Sequence, residues 1–146
     1  MTTLPLRGFR LAFVLLAVFV AGACTSRGTD RGKPVQPVRG KVFVQKVPAA
    51  GAFVLFVPVN EPANPTEPRP RAEVKDDGSF TLSTYGDGDG APAGEYIVVV
   101  TWPGKVLPDG REEAPDKLFG RYADAQRSKL RATVKDGKNE LDPFQL

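Results

Sequence analysis

The residue types with the most obvious chemical potential lie in the stretch STYGDGDG, Ser83 to Gly90, where Asp87 and Asp89 alternate with Gly86, Gly88 and Gly90. Alternating carboxylates can wrap a hard cation such as calcium. The helix-loop-helix calcium pattern also needs an oxygen ligand at its fifth position, glycine at its sixth and glutamate at its twelfth. Counted from Asp87 those places hold Ala91, Pro92 and Val98, so the pattern fails. Asp-Gly repeats are ordinary turn chemistry, and the loop is expected to be a structural corner with no metal. Pro92 would fix its exit and Gly94 would open the next strand. Tyr96 would swing back to bond an upstream backbone group through its hydroxyl, as tyrosine corners do.

Other catalytic systems lack their parts. The 146 residues include no histidine, which removes Ser-His-Asp and Cys-His nucleophile systems and histidine-ligated metals. The acidic residues fall mostly in turns and loops, where solvated charge is the default. No catalytic residue and no cofactor is expected, and the chain reads as a non-enzyme.

The lone cysteine, Cys24, marks a processing site instead. Arg7 and Arg10 give a positive start, Leu11 to Val20 is uninterrupted apolar sequence, and Ala21-Gly22-Ala23 supplies small residues before Cys24. That order is a secretory signal, and the apolar run is short for a transmembrane helix, which needs about 20 residues. Cys24 resembles the lipidated cysteine of bacterial lipoproteins, although Ala21 stands where that family usually has leucine. The resemblance implies an exported protein, anchored to a membrane of the cell envelope by lipid. Of the 20 basic residues, Arg7 and Arg10 leave with the signal, so 18 face 17 acidic ones with the signs interspersed. No basic stripe exists for nucleic acid.

Residues 1–23 are thus expected as signal peptide and 24–36 as a flexible tether, being polar with two glycines and a proline. Residues 37–146 form the domain. It is written in strand language: PVRGKVFVQ with a break at Gly40 where a bulge is expected, GAFVLFVPV as a central strand, and alternating runs either side of Asp76-Asp77-Gly78 that read as a hairpin. GEYIVVVTW gives a fifth strand, and two more flank Asp136-Gly137. The expectation is all-β, a single seven-stranded antiparallel β-sandwich. Its core would hold Val42, Val54, Phe56, Val74, Phe80, Leu82, Ile97, Val99, Val134 and Leu141. The proline-rich stretch from Asn60 to Pro70 should be extended. Between Pro103 and Lys129 a helical turn is expected, with Leu118, Phe119 and Tyr122 on one side, capping the sandwich.

The order PVRGKVFV, GAFVLFVP, DDGSFTLSTY, DGAPAGEYIVVVTWP and LRATVKDGKNEL resembles the carboxypeptidase regulatory-like, transthyretin-like lipoproteins of planctomycete-type bacteria. The resemblance implies a prealbumin-like sandwich, with no established activity and no cofactor. Related hydroxyisourate hydrolases and intradiol dioxygenases rely on histidines that this chain lacks. The expected function is an envelope accessory, structural or protein-interaction domain. The alternative is a small carbohydrate- or ligand-binding module, with Tyr85, Trp102 and Tyr122 as stacking residues.

Overall fold

The computed structural model describes residues 32–60, 67–104, 107, 109 and 116–146. The signal segment, Cys24, the tether as far as residue 31 and residues 61–66 of the proline-rich stretch lie outside the described residues. The fold is all-β, built of several sheets and consistent with a β-sandwich. Its strands are β1 (Val35–Gln36), β2 (Val38–Val44), β3 (Val47–Pro48), β4 (Phe53–Pro58), β5 (Arg71–Glu73), β6 (Ser79–Thr81), β7 (Ala91–Pro92), β8 (Gly94–Thr101), β9 (Arg131–Val134), β10 (Asn139–Glu140) and β11 (Phe144–Gln145). Strand β1 pairs with β7, so residues 35 and 36 are already part of a sheet, although the sequence reads as tether to residue 36.

One sheet runs β5-β4-β8-β9 and is antiparallel throughout. The other is organised around β2, which pairs antiparallel with β3 and β6 and parallel with β10 and β11. Among the described residues, eleven strands and mixed pairing replace the expected seven antiparallel ones. The added strands β1, β3, β7 and β11 are two residues each, too short for alternation to reveal. The parallel pairs arise because the chain leaves β9, changes sheet at Asp136-Gly137, and returns alongside β2 in the same direction. Asn139 faces Val38 and Phe144 faces Val42, so five steps on one side match four on the other. Pro143, which has no N–H to give a ladder, sits in that slip.

Alternation decides what is buried. On β2, Val38, Gly40 and Val42 face in while Arg39 and Lys41 face out. On β4, Val54 and Phe56 are buried, and antiparallel pairing sets Val100 and Val98 of β8 opposite them. Phe80 and Leu82 close the core from the β2 side, with the Phe56 and Phe80 rings meeting edge to face at 6.5 Å. Each such apolar side chain contributes about 1.5–3 kcal/mol by leaving water.

Several expectations need correction. Strand β8 faces the main core cluster with Tyr96, Val98 and Val100, so Ile97 and Val99 lie on the opposite face, where Val99 is buried as expected, at 7% exposure, and Ile97 only partly so. The run is apolar at both parities, and alternation alone could not choose between them. Leu141 is only partly buried at the edge of the core. Gly40 makes no bulge: it pairs in continuous register with Phe80, whose ring lies where a Cβ would be, within 2.5 Å. The Asp77-Gly78 hairpin opens in its middle. Its ends are tied, Lys75 to Ser79 and Arg71 to Ser83, but β5 joins β4 while β6 joins β2. Among the described residues of 103–129 no helix forms; Leu118 is buried and Tyr122 half-buried, but Phe119 is 89% exposed.

The Phe80 ring also stacks on Phe144 at 6.3 Å, so it joins β6, β2, β4 and β11. Phe80→Ala should cost about 3–5 kcal/mol in denaturant unfolding. Gly40→Ala should cost about 1–3 kcal/mol by displacing the ring. In the Phe80→Ala background the Gly40→Ala cost should largely vanish, because the two residues share one contact. Additive costs would show that Gly40 serves something other than the ring.

Candidate functional site

The loop from Ser83 to Tyr96 carries the chain from β6 through β7 into β8. The Asp89 carboxylate points into the bend and accepts three backbone N–H groups: Thr84 at 2.7 Å on Oδ1, Tyr85 at 2.9 Å and Gly86 at 2.8 Å on Oδ2. The buried Thr84 hydroxyl donates to the Gly90 carbonyl at 2.6 Å, and the Gly88 N–H donates to the Ser83 hydroxyl. Gly90 has φ +100°, and a Cβ there would fall on the Gln36 carbonyl, so only glycine lets β1 and this loop approach. At the exit Tyr96 is buried, and its hydroxyl donates to the Pro92 carbonyl at 2.7 Å. Gly94, with φ +156°, opens β8.

This arrangement is the electrostatic opposite of a cation site. Both Asp89 oxygens face the positive ends of peptide groups, and its partner in sequence, Asp87, is exposed on the outside of the bend. Desolvation raises the Asp89 carboxyl pKa, but the N–H groups of Thr84, Tyr85 and Gly86 together outweigh it and hold the group below its ordinary value. Among the described residues no three Cys, Asp or Glu side chains gather as a metal cluster.

A second carboxylate of the same kind was not legible in the sequence. Asp116 accepts N–H groups from Trp102 at 2.9 Å, Leu118 at 3.0 Å and Gly120 at 2.8 Å. Its pKa too is raised by desolvation and lowered further by those three donors, with the net direction down. The turn it builds holds Phe119 at φ +55°, which explains why that ring points out instead of capping the core. The only advance signal was an aspartate two residues before Leu118 and four before Gly120, which is weak.

The three aromatic residues do not converge. Tyr85 sits in the loop before β7, its hydroxyl accepting the Lys33 N–H at 3.0 Å. Trp102 follows the far end of β8, donates through Nε1 to the Ala50 carbonyl at 2.9 Å, and carries the Lys117 ammonium over its ring at 4.6 Å. Tyr122 packs against the core beside Val100, whose N–H its carbonyl accepts. A strand of eight residues separates the Tyr85 end from the Trp102 end. The cleft at the Tyr96 end, walled by Pro58, Pro70, Pro92, Lys33 and Glu67, encloses about 160 Å³. Two open grooves, of about 710 Å³ beside Arg131, Lys135 and Asn139 and about 500 Å³ beside Arg39, Lys75 and Phe80, reach the roughly 300 Å³ or more usual for ligand pockets, but Tyr85, Trp102 and Tyr122 line neither.

Ile97, half-buried, and Val99, buried, belong to a second apolar group outside the main cluster. Opposed residues on antiparallel strands share a face, so Leu55 with Val99 and Val57 with Ile97 make an apolar centre on the outer side of the four-stranded sheet. Phe53, 48% exposed, extends it, and Arg71, Glu73 and Arg131 border it.

No protein-family model matches the chain, and no curated protein matches it. Among solved structures it is similar to a DUF3823 family protein from Parabacteroides merdae ATCC 43184, at 16% identity and TM-score 0.40, covering 78% of this chain and 46% of that one. It is also similar to a 9R-lipoxygenase from Cyanothece PCC8801, at 12% identity and TM-score 0.40, covering 77% of this chain and 16% of that one. The chain spans less than half of either structure's length, and likeness at this level identifies no activity.

If Asp89 holds the corner, Asp89→Asn should destabilise by about 1.5–3 kcal/mol, since an amide nitrogen would face N–H donors, while Asp87→Asn changes little. Calcium should not shift the melting temperature of any of these proteins; a calcium-dependent rise abolished by Asp89→Asn would restore the metal reading. Because the folded pKa values of Asp89 and Asp116 are depressed, their stabilisation is present above about pH 3.9, the unfolded carboxylate value, and is lost as pH falls through the lower folded values. An Asp89→Asn, Asp116→Asn double variant should therefore lose less stability than wild type between pH 6 and the acid range, roughly speaking pH 3.

Proposed function

We propose that this chain is a non-catalytic accessory domain of the cell envelope, anchored to a membrane through lipid on Cys24, that holds other envelope proteins against the outer face of its four-stranded sheet. The observation that carries this reading is the apolar group of partly exposed Leu55, Val57 and Ile97 around buried Val99, with Phe53, 48% exposed, at its edge. Outward faces of antiparallel sheets in soluble surroundings are ordinarily polar, and an apolar one bordered by charge is the pattern of a protein contact. The runs that carry the transthyretin-like, carboxypeptidase regulatory-like resemblance include strands β2, β4, β6, β8, β9 and β10, which supports that reading. The absence of histidine supports a role without acid-base or metal chemistry. The carbohydrate alternative loses its platform, because Tyr85 and Trp102 stand at opposite ends of β8.

A photo-crosslinking residue placed at Phe53 in living cells should give adducts of discrete mass, weakened by Leu55→Glu, while the same group at exposed Lys41 on the other sheet gives none. Equal labelling at both positions would remove the interaction reading. For the anchor, Cys24→Ser should move the protein from the detergent phase to the aqueous phase, since stable attachment needs more than one lipid chain or signal. Unchanged partitioning would contradict lipid anchoring.

A further inference from the structure

We propose that the turn carrying Phe119 is a second membrane contact, at which the ring enters the headgroup boundary of an anionic phospholipid surface and the surrounding cations meet its phosphates. The proposal rests on the anchored-envelope reading above but uses different residues. Phe119 is 89% exposed and sits in the left-handed region at φ +55°, a conformation unfavourable for a bulky side chain. The fold nevertheless fixes it, because Asp116 binds the N–H groups on both sides, at Leu118 and Gly120, and ties them to Trp102. A rigid turn therefore holds an aromatic ring out in water, where it contributes nothing to the core.

Among the described residues that follow the ring in sequence, basic charge predominates. Lys117 and Arg121 flank the ring in sequence, and Arg127 and Lys129 are exposed further along the same segment, which follows the β9 edge of β8 through bonds at Trp102, Val100 and Val98. Arg121, Arg127 and Lys129 form no ion pair with a described residue. The two carboxylates of the segment are engaged with backbone: Asp116 with its three N–H groups, and Asp124 with the Gln126 N–H at 2.8 Å. Among its described residues the segment thus presents exposed Lys117, Arg121, Arg127 and Lys129 against one exposed carboxylate, Asp124, with a single exposed ring. A protein partner would call for further apolar contacts around the ring, as binding hot spots have, but Lys117 and Arg121 flank it and Leu118 is buried. One ring at headgroup depth with cations beside it matches what an anionic bilayer offers.

The test uses the full chain reconstituted in vesicles of phosphatidylcholine alone or with added phosphatidylglycerol, each with brominated acyl chains. Phe119→Trp adds a second tryptophan to Trp102, the one in the sequence, and wild type gives the background. Quenching of the added emission should be about twofold greater or more in the anionic vesicles, and should fall to the neutral level when Arg121, Arg127 and Lys129 are changed to Gln. A chain that stays on both vesicle types with the added tryptophan equally unquenched overturns the contact and leaves the anchor standing. A chain that leaves both vesicle types overturns both. Equal, strong quenching in neutral and anionic vesicles overturns the charge argument and with it the proposal. A melting temperature for Phe119→Trp matching wild type establishes that the reporter is folded.

Discussion

The chain changes sheet repeatedly, and at each change its backbone leaves a ladder and its N–H groups lose their partners. That constraint organises the molecule. It runs from β3 in the β2 sheet to β4, from β5 back to β6, from β6 by way of β7 to β8, and from β9 to β10. An unpaired buried peptide group is costly, so polar side chains take over where the ladder stops. Asp77 receives the Ser79 N–H and hydroxyl, Asp89 receives three N–H groups, and the Asn139 side chain exchanges bonds with Lys135 and donates to the Gly137 carbonyl while its own backbone N–H reaches Pro37. Asp116 does the same for the segment that returns to β9.

Seen this way, the chemistry-bearing residues belong to the fold. Asp89 and Tyr96 hold one corner from its two sides, and what their geometry can do chemically is fix a backbone. With those corners set, Phe80 can lie across Gly40 and reach both Phe56 and Phe144, which locks the two sheets face to face. The same register leaves Leu55, Val57, Ile97 and Val99 facing outward. The two surfaces proposed for recognition, the outside of the four-stranded sheet and the Phe119 turn, both lie away from the conspicuous glycine-aspartate loop.

Much of this was legible in the residues, and the failures have physical causes. Composition and alternation identify an all-β chain but not its strand number or mixed pairing; eight of the ten expected core residues are in the main cluster or at its edge, and Val99 is buried on the other face of β8. Ile97 and Val99 misled because GEYIVVVTW is apolar at both parities, so only pairing with β4 selects a face. Asp-Gly turns correctly marked reversals, but a reversal does not say whether the strands it joins stay in one sheet; at Gly78 and Gly137 they do not. Gly40 suggested a bulge because sequence cannot show a ring filling the space above it. The roles of Asp116 and Asn139 depend on partners brought together by the tertiary fold, as does the exposure of Phe119.

The most direct test of the account is amide hydrogen exchange of Thr84, Tyr85 and Gly86 in the full chain, followed with calcium and with chelator. If the Asp89 carboxylate is a built-in acceptor that completes the fold where the chain changes sheet, these three amides are protected in chelator and calcium leaves their rates unchanged. Fast exchange in chelator, slowed by calcium, would mean that the loop is organised by a cation and that the corner is a binding site.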